Sequence, residues 1–454
     1  MKSTYIHRNL FMKSISSFII LFFLTFTFQA QEKKWTLKEC VEHALENNIS
    51  IRQSQLDVDA AELDKMDAIG NLIPTVNGSA SYSTNTGANI NPVTNQFENE
   101  TFSSMTGGIS SNLTLFDGLK NIRQLQRSKL AKLASQYRLD KMKDDIALAV
   151  ANSYLQVLLN KANLEVIKSQ NIVTLEQLER TQDLVDAGVL PQGDMLEIKA
   201  TDASEKQRIA VAENDVEISL ISLAQLLLIK DYESFQIVDE GYEIISTEVT
   251  DIPVQEIINS AEETRSEVKI AEQNVLLAEK DVQIARGNYY PTLSAFFGYN
   301  TRYSDNDFLD RNFTDQLWQN DGIGYGLQLN VPIFNGLSAR TNVKRNKVNL
   351  ERTEFQLEQA KLDLESNVYQ AYVDVKGALK AYEASQTALE SQELAYDYAK
   401  ERYDVGLTNA FDFSQSKLRF DNAKIEVNRT KYDYIFKLKV LELFFGVDAK
   451  DIKL

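Results

Sequence analysis

The sequence predicts a mainly α-helical protein with a small β part, built as two copies of one unit. Glycine and proline are scarce, with 18 and 6 among 454 residues, whereas their usual shares are about 7% and 5%. Apolar residues recur at spacings of three and four through long proline-free stretches, which is the pattern of amphipathic helices. Similar motifs also return at an offset of 217 or 218 residues.

Residues 1–30 are predicted to be a secretory signal peptide. Lys2, Arg8 and Lys13 precede an apolar run over 15–28, and polar sequence follows Ala30. The run is shorter than the roughly 20 residues that a spanning helix needs, so a leader is favoured over an anchor. Its removal would change the net charge from −17 to −20, which argues against nucleic acid or anionic lipid as a partner.

The composition disfavours an enzyme. The single cysteine, Cys40, allows neither a disulfide framework nor a cysteine-based zinc site. Of the two histidines, His7 falls in the predicted leader, which leaves only His43 for acid–base or metal chemistry. The sequence contains no glycine-rich phosphate loop and no nucleophile motif. We therefore expect no catalytic residue, cofactor or metal site.

The repeated motifs divide the chain into two units, predicted at 31–240 and 241–454. The matching positions are 70–75 with 287–292, 115–119 with 333–337, Tyr154 with Tyr372, Gly188 with Gly406, and Asp194 with Asp412. A constant offset shared by several motifs indicates an internal duplication. Each unit reads helix, strand, loop, strand, long helix, turn and helix.

Each unit contains two predicted strands in which apolar and polar residues alternate. The strands are expected at about 75–84, 104–116, 292–303 and 322–334. Their length and alternation match transmembrane β-strands, which have one face in lipid and one in water. A soluble hairpin packed on a helix would show the same alternation. The secretion signal and the long polar loops at about 84–103 and 304–321 favour the membrane interpretation.

Four strands are too few for a membrane barrel, which needs about eight. An open sheet edge finds no hydrogen-bond partners in lipid. The sequence therefore predicts that several chains share one barrel, and three copies would supply twelve strands.

Two very long helices are predicted at about 119–187 and 337–405. Each would be about 100 Å long at 1.5 Å per residue, and helices of that length indicate coiled-coil-like packing. Each ends at a predicted turn, the first at 188–194 and the second at 406–412. Gly188 and Gly406 can adopt positive φ and end the long helices there.

At this point the chain resembles the TolC family of outer-membrane efflux proteins over nearly all of residues 36–446. The resemblance rests on the two-fold repeat, the strand pairs that open at Pro74 and Pro291, the corners at 115–118 and 333–336, and the two helix turns. It implies a homotrimer in the Gram-negative outer membrane. A short shared β-barrel there would continue into an α-barrel across the periplasm. It further implies transport of cargo from an inner-membrane pump through a periplasmic adaptor, also called a membrane fusion protein.

The resemblance also implies roles for the turns. Asp194, Asp412 and Tyr403 would form a periplasmic constriction, while Gly188, Gly406 and Thr408 would belong to the tips that receive the adaptor, in grooves lined by small and polar residues. Alternatively, each Asp is an acidic residue at a helix N-terminus, where it interacts favourably with the helix dipole, and each glycine belongs to an ordinary turn. The chain departs from the family pattern in three features. Gln415 lies where the family has the acidic residue of a second ring, and Thr408 lies where the family has a basic residue. Pro191 and Gly193 lie in the first turn, unlike the second.

A second function class remains open on the sequence alone, that of a secreted structural coiled-coil protein without channel activity. Such a protein has no need of alternating strands at the same place in both units, so the strand pairs favour the channel. The resemblance implies that the pump selects the cargo, so no pattern in this chain is expected to identify it.

Overall fold

The computed structural model describes residues 34–90, 96–239, 241, 252–307 and 309–446. The predicted signal peptide lies outside these residues. The described chain is mainly helical with a small sheet, so the predicted fold class is confirmed.

The helices repeat between the two halves of the chain. The first half has α1 (Leu37–Asn47), α2 (Ile49–Gly70), α3 (Lys120–Asp186) and α4 (Gln192–Leu226). The second half has α5 (Val254–Thr264), α6 (Ser266–Gly287), α8 (Ser338–Asp404) and α9 (Ala410–Phe445), with a short additional helix α7 (Phe313–Gln319). The starts of α1 and α2 recur 217 residues later in α5 and α6, and those of α3 and α4 recur 218 residues later in α8 and α9.

Four antiparallel strands form one sheet, in the order β2 (Thr75–Ile90), β3 (Phe97–Phe116), β5 (Thr292–Ser304) and β6 (Gly322–Asn330). A separate parallel pair joins β1 (Lys34–Trp35) to β4 (Gln236–Ile237). In the large sheet, Ile109 lies opposite Gly78 on one side and Tyr299 on the other, and Tyr299 lies opposite Ile323.

Three strands differ in length from the sequence prediction. β2 continues to Ile90 and β3 begins at Phe97, so most of the expected loop at 84–103 is strand. Hydroxyl pairs extend the ladder there, with Thr84 Oγ1 and Ser103 Oγ 3.1 Å apart and Thr86 Oγ1 and Thr101 Oγ1 2.9 Å apart. β6 ends at Asn330, before the expected residue 334. Pro332 has no N–H group to donate to the ladder.

The sheet has one apolar face, and its β6 residues are exposed in the described protomer. The register rows of this face contain Leu293 with Leu329, Ala295 with Leu327, Phe297 with Tyr325, and Tyr299 with Ile323. Tyr325 is 80% exposed and Leu327 is 67% exposed. The opposite face of β6 carries glycine, glutamine and asparagine, so the sheet has the two-sided character of a membrane strand set.

A pair of left-handed residues turns β3 into α3, and the equivalent pair precedes α8. Gly118 and Leu119 have φ of +74° and +67°, and Gly336 and Leu337 have +61° and +69°. A β-carbon on Gly118 would lie 2.5 Å from the carbonyl oxygen of Gly287. Glycine is therefore required at 118 both for its conformation and for this close approach.

The long helices lie side by side. Near the sheet the order is α2, α3, α6 and α8, and towards the other end it is α4, α3, α9 and α8. Two apolar clusters lie where the short helices meet the long ones; one includes Val150, Leu158 and Leu223, and the other Ile257, Val368 and Leu441. Helices α2, α4 and α8 are therefore the outermost helices of these two side-by-side sets, and we call them the edge helices. Across the described residues, we find no helix with both the length and the apolar character of a membrane span.

Candidate functional site: the tips of the helical hairpins

Each helical hairpin ends in the same type of turn. After α3, Gly188 has φ of +72°, and Val189 N donates to the carbonyl of Leu184 at 2.8 Å. After α8, Gly406 has φ of +75°, and Leu407 N donates to the carbonyl of Arg402 at 2.8 Å. This is the Schellman arrangement, in which a left-handed glycine allows the chain to satisfy the last carbonyls of the helix. We call residues 187–191 the first tip and residues 405–409 the second tip.

The two tips lie side by side, because the ends of α3 and α8 are in contact. Arg180 Nη1 lies 3.1 Å from Asp404 Oδ1, which joins the last turns of α3 to the last residue of α8. One residue further along α3, Thr181 Oγ1 shares a 3.1 Å hydrogen bond with the hydroxyl of Tyr403. The fold therefore brings the predicted residues of both repeats to one end of the protomer.

Asp194 and Asp412 both lie in the first turn of a return helix. Asp412 N donates to Oδ1 of the N-cap residue Asn409 at 2.8 Å, and the Thr408 hydroxyl donates to Asp412 Oδ2 at 3.4 Å. Asp194 N donates to the carbonyl of Pro191 at 3.1 Å. Both carboxylates lie at the N-terminal, positive end of a helix dipole, where acidic side chains stabilise the helix. Asp412 is exposed and Asp194 is half-buried.

Tyr403 is enclosed by the protomer, with only 2% of its surface exposed. Its ring stacks on Phe413, with the ring centroids 5.1 Å apart and the planes at 16°. Burial is the main cause that raises the pKa of Tyr403; its hydrogen bond to Thr181 opposes this, and the Asp194 carboxylate adds to it. Tyr403 thus couples electrostatically to Asp194 from inside the helix packing, while its role in a constriction remains a prediction.

An aromatic cluster fills the interior behind the tips. Tyr396 stacks on Phe420 at 5.1 Å with the planes at 7°, and its ring centroid is 6.0 Å from that of Phe413. Ile198 of α4 joins the same cluster, so residues of both hairpins contribute to it. The tips are therefore supported by a packed core.

A buried ion cluster connects α4 to α9 near the aromatic cluster. Lys417 Nζ lies 2.6 Å from Glu205 Oε1 and 3.3 Å from Asp421 Oδ2, and all three side chains are at most 6% exposed. Asn171 of α3 donates to Glu205 Oε2 at 3.1 Å and to Asp202 Oδ1 at 3.0 Å. Burial raises the pKa of Asp421 to about 6, against the opposing effect of the Lys417 ammonium.

The structure shows a feature of the tips that the sequence prediction missed. Large apolar side chains are exposed in and beside the tips, whereas small and polar residues are expected around both turns. Val189 of the first tip is 66% exposed, Leu407 of the second tip is 69% exposed, and Phe411 in the first turn of α9 is 56% exposed. The signal was present in the sequence, because apolar residues directly follow Gly188 and Gly406. Within the described ranges, no group of three or more His, Cys, Asp or Glu side chains has the arrangement of a metal site.

Replacing Gly406 by alanine should lower the free energy of unfolding by about 1–2 kcal/mol, because a side chain disfavours the left-handed conformation by that amount. Gly377 provides a matched control, since it lies exposed inside α8 and a β-carbon added there would meet nothing within 4 Å. Gly377→Ala should instead raise the free energy of unfolding by about 0.5–1 kcal/mol. Denaturant unfolding followed by circular dichroism measures both. Equal effects of the two substitutions would contradict the assigned turn.

Comparison with known proteins gives a consistent result. The sequence model of the family described as "Outer membrane efflux protein" matches residues 40–227 and 257–446, most of the chain. The outer membrane protein TolC of Vibrio cholerae serotype O1 is 24% identical over 408 residues, which are 90% of this chain and 89% of that protein.

Solved structures with this fold include the Campylobacter jejuni CmeC outer membrane channel. It has a TM-score of 0.78 and 19% identity, over 90% of this chain and 85% of that one. The open state of the Neisseria gonorrhoeae MtrE outer membrane channel has a TM-score of 0.71 and 18% identity, over 92% and 91% of the two chains.

A sheet with one apolar face, joined directly to long paired helices with common tips, defines a channel protein of the outer membrane that extends into the periplasm. The chain belongs to the outer membrane efflux protein family, which includes TolC. Its function is therefore that of a channel for efflux or secretion, and the alternative of a secreted coiled-coil protein without channel activity is set aside.

Proposed function

We propose that three copies of this chain form one continuous conduit, from a shared β-barrel in the outer membrane to the periplasmic tips. The observation that carries the proposal is the set of incomplete edges on the protomer. Among the described residues, strands β2 and β6 each have a neighbouring strand on one side only. Such edges do not persist in lipid, because their backbone groups would lack hydrogen-bond partners. A second copy beside each edge removes this cost, and three copies give twelve strands.

The edge helices support the same assembly. Four exposed apolar residues in the first half of α8 are seven positions apart, namely Val348, Phe355, Leu362 and Tyr369. On α2 the same interval separates the exposed residues Ile49, Leu56 and Leu63. A seven-residue apolar repeat is the pattern of a coiled-coil seam. These two edges are the surfaces that α8 of one copy and α2 of the next would bury.

The tips would form the periplasmic entrance. In a trimer, Asp194 and Asp412 would supply six carboxylates around one axis, and rings of acidic side chains favour cations over anions. Tyr403, close to Asp194, would hold the constriction from within.

The turns at Gly188 and Gly406, together with Thr408 and the exposed apolar side chains, would receive a periplasmic adaptor. That adaptor would connect the channel to an inner-membrane pump, which selects the cargo. The proposal assigns no catalytic role to the chain.

The test is a selectivity measurement on the full-length protein reconstituted into planar lipid bilayers. In a potassium chloride gradient, the reversal potential gives the ratio of potassium to chloride permeability. Replacing Asp194 and Asp412 together by asparagine should move this ratio towards one, because the ring would lose its charge while the size of the side chains is kept.

The matched control replaces both residues by glutamate, which keeps the charge and should preserve cation preference. An unchanged ratio in the asparagine variant would reject the constriction. Protein that is recovered only from the soluble periplasmic fraction would reject the conduit as a whole.

A further inference from the structure

We propose that Arg345 of one copy forms an ion pair with Asp64 of the next copy, and that this pair repeats between chains a junction that already exists within one chain. The inference rests on the proposed trimer and specifies the residues that join its copies. It follows from the duplication, which makes one half of the protomer a template for the contacts of the other half.

The template is the junction of α3 with α6 inside the protomer. Arg127 Nε lies 2.6 Å from Asp281 Oδ1, and Arg127 Nη2 lies 3.3 Å from Oδ2, so the guanidinium donates hydrogen bonds to both carboxylate oxygens. Further along, the Lys269 ammonium lies 5.7 Å from the ring centroid of Tyr137. At the sheet end of the junction, Gly118 and Gly287 are in close backbone contact.

When the constant offsets of the repeat are applied to the residues of this junction, the equivalent positions lie on the edge helices α8 and α2. Helix α3 corresponds to α8 at +218, and α6 corresponds to α2 at −217. The first contact then maps to Arg345 and Asp64, so both members of the ion pair keep their residue type. The second maps to Phe355 and Arg52, again an aromatic ring with a cation.

The glycine contact maps to Gly336 and Gly70, so both positions are again glycine. A β-carbon at either of them would meet no atom of the described residues of the protomer within 4 Å. At Gly70, therefore, no contact within the described protomer explains why the residue is glycine. Close approach by a second copy accounts for it, as the approach of the Lys120 side chain and the Gly118 carbonyl does for Gly287.

The mapped side chains are also available for a partner. Asp64 and Arg345 are both exposed, and neither has an ion-pair partner among the described residues of the protomer. Phe355 is 63% exposed. Arg52 is exposed and donates from Nη2 to Asn47 Oδ1 at 2.9 Å, which positions its guanidinium on the α2 surface.

The correspondence is selective. The hydrogen bond from Lys280 Nζ to Gln126 Oε1, at 3.0 Å within the protomer, maps to Leu63 and Lys344, which do not reproduce it. The junction between copies therefore shares the ion pair, the cation–aromatic contact and the glycine contact with the internal junction, and it adds apolar surface from Leu63.

The test is a charge-reversal cycle on full-length protein extracted from outer membranes in detergent. The readout is the temperature at which the trimer band disappears in dodecyl sulfate gels, with the mass of the complex checked by light scattering. Asp64→Arg and Arg345→Asp should each lower this temperature by several degrees, because each places like charges across three junctions. The double variant should recover most of the loss, since it restores the pair in the opposite sense.

Asp140→Arg is the matched control. Asp140 is exposed on α3 and forms its ion pair with Lys143 of the same helix, so its reversal should leave the dissociation temperature unchanged. Additive losses in the double variant, or failure of that variant to form trimers when the single variants also fail, would overturn the ion pair. A wild-type protein that is monomeric by light scattering would instead overturn the proposed trimer, so the two failures are distinguishable.

Discussion

Replacing Lys417 by methionine is expected to lower the free energy of unfolding by about 3–5 kcal/mol, the usual loss when one partner of a buried ion pair is removed. Methionine keeps the length of the side chain, so the loss arises mainly from charge. Glu205 and Asp421, which lie 2.6 Å and 3.3 Å from the ammonium, would remain buried without their cation. Guanidinium unfolding followed by far-ultraviolet circular dichroism measures the change.

Arg429→Met is the control for this substitution. Arg429 also forms a 2.6 Å ion pair, with Glu426, but the two side chains are 57% and 50% exposed. Exposed pairs contribute at most about 1 kcal/mol, because water solvates both charges once they separate. If both substitutions caused the same small loss, the cluster of Lys417, Glu205 and Asp421 would not be buried as described.

Replacing Phe413 by alanine should lower the free energy of unfolding by about 3–5 kcal/mol, the range for a large aromatic side chain removed from a core. Phe413 is 3% exposed and lies against both Tyr403 and Tyr396. The cavity would also release the ring of Tyr403 from its stacked position, so near-ultraviolet circular dichroism should lose tyrosine signal at the same time. The same unfolding titration measures the stability.

Phe411 is the control, two residues away in the same helix turn and 56% exposed. Phe411→Ala should change the free energy of unfolding by no more than about 0.5 kcal/mol, as for most surface substitutions. A large loss at Phe411 together with a small loss at Phe413 would place the opposite face of α9 in the core.

The fold class was accessible from the sequence because its signals are local or repeated. The spacing of apolar residues indicates helices, and the recurrence of Gly188 as Gly406 and of Asp194 as Asp412 indicates the duplication. Strand ends were less accessible. β2 extends to Ile90 through threonine and asparagine residues whose strand conformation depends on partners across the ladder.

The interior of the tip region could not be read from local pattern alone. Lys417 and Glu205 are 212 residues apart, and Thr181 and Tyr403 are 222 apart, so only the folded chain makes them neighbours. One signal was available: Tyr396 and Tyr403 are seven residues apart, as are Phe413 and Phe420, which is the interval of core positions in paired helices. It predicts an aromatic interior but does not indicate which hydroxyl meets which partner.

The equal lengths of α3 and α8 have a geometric consequence for the protein. Each has 67 residues, so both descend about 100 Å at 1.5 Å per residue and end at the same depth. Removing one residue from either helix would raise its tip by about 1.5 Å and turn it by about 100° relative to its neighbours. The number of residues in these two helices therefore sets both the depth of the tips below the membrane and the direction in which each tip faces. A change in that depth requires the same change in both halves of the chain.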